Sequence, residues 1–140
     1  MTGLAAQASE FVYKRRGVAE LYLLVLSLAV GIGAYAAVGL GVEGKLPLDL
    51  LTYGSWLAAL VVVAHVVIRL FASYADPLLL PIVSALNGLG LAMIHRIDLY
   101  RQARDPGAHI YAPTQLIWMT LGVALFVGVL LLLRDHRRLQ

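Results

Sequence analysis

ADPLLLPIVSALNGLGLAMIHRID, residues 75–98, is the stretch whose reading decides the fold class. Asp76 and Pro77 form a helix start. An Asp side chain accepts from the orphan N–H groups of a first turn, and Pro at the first helical position has no N–H to waste. No side chain from residue 78 to residue 94 is charged. At about 1.5 Å of rise per residue, this run crosses most of a hydrocarbon core about 30 Å thick. Residues 77–94 therefore read as a membrane span. Ser84, Gly88 and Ala92 recur at spacings of four, which lets another helix backbone come close. Asn87 beside them carries an amide that lipid cannot satisfy. This face packs on protein.

Working outward, the same reading repeats at residues 21–40, 50–68 and 116–133, each an uncharged or nearly uncharged run of span length. Small residues recur at spacings of four, as Gly33, Ala37 and Gly41 in the first span, Gly54 and Ala58 in the second and Thr120, Ala124 and Gly128 in the last, and mark further helix-packing ridges. The whole chain agrees: 61% of its 140 residues are hydrophobic and 14% charged, with a mean hydropathy of +0.82. A soluble domain is about half apolar and about a quarter charged. The expected fold is an all-α polytopic membrane protein of four antiparallel transmembrane helices, with the lipid bilayer as its solvent.

The connections set the topology. Residues 1–20 read as a polar cytoplasmic tail ending in Lys14, Arg15 and Arg16, and residues 134–140 as a basic cytoplasmic C-terminus. The apolar run after the tail is too long for the core of a cleaved signal. Residues 41–49 form a tight turn, and residues 96–114 read as a long outer loop. Tyr53 and Trp56 sit at the depth of an interfacial aromatic belt, while His65 and Arg69, on one face, reach toward cytoplasmic headgroups. The side holding both termini carries seven basic residues, against Lys45, Arg96, Arg101 and Arg104 opposite, which places both termini in the cytoplasm.

Residues 75–98 also resemble a core transmembrane helix of the shape, elongation, division and sporulation family, the RodA/FtsW/SpoVE proteins, in the branch with extra N-terminal helices. AYAAVGLG at residues 34–41 is similar to that branch, and QLIWMTLGVALFVGVLLLLRDHRRLQ at residues 115–140 is similar to its next core helix and exit. The resemblance implies a bacterial plasma-membrane protein of cell shape or cell division. Family members polymerise lipid II into peptidoglycan strands, as glycosyltransferases paired with a penicillin-binding transpeptidase. They are much longer than this chain, so the resemblance covers an N-terminal portion. The family's catalytic acidic residue lies in a later extracellular loop, beyond Gln140. No residue here inherits that role, and no cofactor is implied.

Asn87, His95 and Arg96 are the candidate substrate contacts. In a lipid II polymerase the pyrophosphate sits near the outer surface, where His95 and Arg96 are expected to meet water and an Arg fork suits phosphate oxygens. The plainer alternatives are an interhelical hydrogen bond for Asn87 and a phospholipid anchor for His95 and Arg96. Arg101, Arg104, Asp98 and Asp105 read as a solvated loop whose charges pair among themselves. The four histidines show no ligand spacing, so no metal is expected. A charge of +3 split between the chain ends does not suggest nucleic acid.

Two other functions compete. A small four-helix multidrug-type transporter needs an intramembrane carboxylate, for which Glu20 at the edge of the first span is the nearest candidate. A noncatalytic scaffold or accessory subunit needs only ridges that recruit partners, whether the remaining helices of a longer chain or a second copy.

Overall fold

The computed structural model describes the backbone of residues 2–72 and 75–136 and the side chains of residues 17–72 and 75–132. Its elements are α1 (Thr2–Glu43), α2 (Leu50–Phe71), α3 (Leu79–Arg104) and α4 (Ala112–His136), with no strand among the described residues. The segments Gly17–Glu43, Leu50–Phe71, Leu79–Arg104 and Ala112–Leu132 are each long and apolar enough to cross a bilayer. The chain is an all-α polytopic membrane protein. Short connections reverse its direction each time, so α1 and α3 run the same way.

The bundle is organised around the α1–α3 pair. Glu20, Leu24, Ser27, Gly31 and Tyr35 are buried along one face of α1, and Ser84, Gly88, Leu91, His95 and Asp98 along one face of α3. Steps of three and four residues are the spacing of a helix–helix seam. At its centre two glycines let the backbones touch. A Cβ on Gly31 would stand 2.9 Å from the Gly88 Cα, and one on Gly88 only 2.6 Å from the Gly31 Cα. Among the described residues, helix α2 contacts the other three helices, whereas α4 meets only α2 and α3. Ala112 is the buried residue of α4 among those described.

Helix ends follow from local chemistry. Gly44 closes α1 at φ +71°, and its N–H donates to the Leu40 carbonyl at 3.1 Å, the left-handed cap that glycine adopts without cost. Before α3, the Asp76 carboxylate accepts from the Leu78 N–H at 2.9 Å. The expected Asp76 cap thus forms as a turn, and the helix itself begins at Leu79, two residues later than residue 77.

Three segments differ from the sequence expectation. Helix α1 begins at Thr2, so residues 1–20 are largely helical and not a separate tail. The side chains of Lys14, Arg15 and Arg16, and residues Arg137 and Arg138, lie outside the described residues. Helix α3 continues through Arg96 to Arg104, which shortens the expected loop 96–114 to residues 105–111. The physical reason is that Leu91, His95 and Asp98 carry the buried face onward while Arg96, Arg101 and Arg104 point outward. Polar composition there marks an emerging helix, not a loop. Helix α4 starts four residues before residue 116 because Asp98 holds its first turn.

Candidate functional site

The buried charged and histidine side chains, Glu20, His95 and Asp98, lie toward the two ends of the bundle. At the end bearing Arg69, Glu20 is only 3% exposed. Its Oε1 lies 2.9 Å from the His65 Nδ1, and its Oε2 accepts from the Arg69 guanidinium. His65 and Arg69 share a face of α2, one turn apart, so together they clasp a carboxylate from α1. They therefore do not reach for headgroups as expected: a buried charge finds a partner before it finds lipid. Both Glu20 oxygens are engaged, so Glu20 is held in an interhelical ion pair.

At the opposite end Tyr35, Asp49, Tyr53, His95 and Asp98 converge from three helices. The Tyr35 hydroxyl donates to the Asp49 Oδ2 at 3.0 Å, and its ring stacks between His95 at 4.1 Å and Tyr53 at 5.2 Å. A buried tyrosine needs such a partner for its O–H. Tyr53 is buried here, at 8% exposure, and so does not join a lipid-facing aromatic belt. Asp98, at 2% exposure, accepts through Oδ2 from the Tyr111 N–H at 2.9 Å and the Ala112 N–H at 2.8 Å. Those are orphan donors at the start of α4, and a carboxylate is the group that suits them. The His95 Nε2 and Asp98 Oδ1 are buried without a protein partner. Both residues line a cavity of about 260 Å³, together with Glu43, Lys45, Asp49 and Tyr53.

Removing the Tyr35 hydroxyl isolates one link of this cluster. Tyr35→Phe keeps the stacking and loses the bond to Asp49. It is expected to destabilise the fold by about 1 kcal/mol, read as a shift of the unfolding midpoint in detergent.

The candidate substrate contacts do not assemble into one site. His95 is buried against Tyr35 and lines the cavity beside Asp98, whereas Arg96, the next residue, is exposed. Asn87 is half-buried, and its Nδ2 donates to the Val83 carbonyl of its own helix at 3.0 Å, not across helices. It borders a separate, largely apolar cavity of about 460 Å³ between α2, α3 and α4. The charges expected to pair in a loop do not pair among the described residues. The Arg101 guanidinium lies over Tyr111 at 5.2 Å and that of Arg104 over Tyr100 at 4.4 Å, while Asp105 accepts from the Gly107 N–H at 2.9 Å.

The packing ridges divide in the same way. Ser84, Gly88 and Ala92 are buried in the seam. Gly33 and Gly41 have open space where a Cβ would go and Ala37 is exposed, so within this chain α1 packs through Gly31 and not through that ridge. Thr120 accepts from the Trp56 Nε1 at 2.9 Å and joins α4 to α2, whereas Ala124 is exposed and Gly128 faces open space. Tyr35 and Asp49 were not singled out by sequence; a tyrosine inside an apolar run was the available signal.

Comparison with curated proteins places the sequence. Over 121 residues, 86% of this chain, it is 44% identical to the peptidoglycan glycosyltransferase RodA of Mycobacterium tuberculosis and to that of Mycobacterium bovis. It is 46% identical to the RodA of Mycobacterium leprae over the same length. The match spans 26% of each of these relatives. No family model and no solved structure matches the chain. Similarity at this level across nearly the whole sequence makes the chain a RodA-like segment of the shape, elongation, division and sporulation family.

Proposed function

We propose that this chain serves as the N-terminal membrane portion of a RodA-like machine that polymerises lipid II, supplying structural helices and not the catalytic acid. What carries the reading is the 44–46% identity to proteins named peptidoglycan glycosyltransferase. The four span-length helices support the structural role. The chain works beside a penicillin-binding transpeptidase in the bacterial plasma membrane. The outward Gly33–Ala37–Gly41 ridge and the exposed face of α4 receive further helices.

Two experiments test this. Exchanging the matching segment of the Mycobacterium tuberculosis RodA for this chain is expected to preserve lipid II polymerisation. The purified 140-residue protein is expected to make no glycan strands. A dead chimera, or polymer from the 140 residues alone, would overturn the assignment.

Both termini lie in the cytoplasm in this reading, on the balance of basic residues. The chain has no cysteine, so single cysteines report topology directly. Lys45→Cys is expected to react with a membrane-impermeant maleimide added outside intact cells, and Asp76→Cys only after lysis; the reverse pattern would invert the orientation.

A further inference from the structure

We infer that the cavity at the Asp98 end is a binding site for a primary ammonium group. The site does not depend on the cell-wall reading, because it is built from groups within this chain. Two polar atoms define it. The Asp98 Oδ2 is occupied by the Tyr111 and Ala112 N–H groups, which fix the carboxylate in place, while its Oδ1 has no partner although the residue is 2% exposed. The His95 Nε2 is likewise buried and unpartnered.

A buried carboxylate oxygen without a donor is costly, and a donor from outside the chain would relieve that cost. Charge selects the kind of donor. The cavity is lined by the carboxylates of Glu43, Asp49 and Asp98 against the single ammonium of Lys45, so the balance is negative and a phosphate or carboxylate ligand meets repulsion. Tyr53 adds an aromatic wall, and ring faces attract cations. An ammonium brings three N–H donors and no acceptor. It suits the unpartnered Asp98 oxygen. A volume of about 260 Å³ exceeds what one or two waters fill at about 30 Å³ each and accommodates a short aminoalkyl group. That chemistry occurs in two places, an ethanolamine lipid headgroup and a free soluble amine.

The test uses the full 140-residue chain in nanodiscs, reading the amide resonances of Tyr111 and Ala112, whose N–H groups donate to Asp98. Ethanolamine hydrochloride is titrated into phosphatidylglycerol discs, with sodium chloride and glycerol as controls. A second set of discs contains phosphatidylethanolamine. A saturable shift with ethanolamine alone, absent in the lipid-only set, identifies a soluble amine. Shifted resonances already present in the phosphatidylethanolamine discs identify the headgroup. Either supports the site. Equal responses to sodium chloride or glycerol, or none in any arm, would overturn it and leave a water-filled cavity.

Asp98→Asn is expected to weaken binding at least tenfold. Because that change also touches the α4 cap, Lys45→Gln gives a second reading at an exposed position. Removing the only cation lining the cavity should tighten ethanolamine binding severalfold, and unchanged or weaker binding would reject an ammonium site.

Discussion

Replacing Gly88 by leucine is expected to abolish the native bundle. A Cβ at that position would lie 2.6 Å from the Gly31 Cα, and the opposing atom belongs to a backbone, not to the far end of a flexible side chain. Nothing can rotate away, so the two helices must separate along the seam that also buries Leu24, Tyr35 and Leu91. Overpacking alone costs about 1–3 kcal/mol and occasionally more; a backbone-to-backbone clash belongs at or above the top of that range. The measurement is unfolding by sodium dodecyl sulfate followed by circular dichroism, with gel filtration for aggregation. Gly33→Leu is the matched control: nothing lies within 4 Å of its Cβ position, and a shift within about 0.5 kcal/mol is expected. Equal tolerance of leucine at both positions would mean that the seam is not where these helices meet.

The second large effect is expected at Arg69. Arg69→Met strands the Glu20 carboxylate, 3% exposed, with His65 as its remaining partner. Breaking a buried pair from one side costs about 3–5 kcal/mol. Arg69 is 23% exposed, so water shares the load and the lower end, about 3 kcal/mol, is the expectation. Adding Glu20→Leu to the same protein should restore most of the loss, because a matched apolar pair often replaces a buried ion pair at little cost. The loss in the double variant minus the summed losses of Arg69→Met and Glu20→Leu measures the coupling. A double-variant loss equal to the sum of the two single losses would show that Glu20 and Arg69 act independently.

Hydropathy alone located the four spans, because a bilayer makes one demand of every crossing segment and residues 78–94 meet it visibly. The α3 ridge was equally legible: Ser84, Gly88 and Ala92 are its small residues and all three are buried. The α1 face was not. Its glycines at 31, 33, 39 and 41 offer more than one ridge, and spacing cannot choose among them. What chooses is Glu20 and Tyr35, whose polar atoms must turn toward Arg69 and Asp49 and so rotate Gly31 inward. The clasp on Glu20 lay open in the sequence as a carboxylate beside one span and a His–Arg pair at the end of the next. Neither names the other in one dimension, because pairing across helices needs three. The overrun of α3 was hidden for a related reason: hydropathy falls off at Arg96, but the helix persists as long as one face is buried.

The partnership of α1 with α3, helices separated by a whole hairpin, fixes an order of assembly. During synthesis the glycine at residue 31 is made several seconds before its counterpart at residue 88, at about 5–20 residues per second. Until then α1 and α2 are held by the salt link at one end and the tyrosine–aspartate bond at the other. The buried face around Gly31 therefore stays without its partner until the third helix arrives.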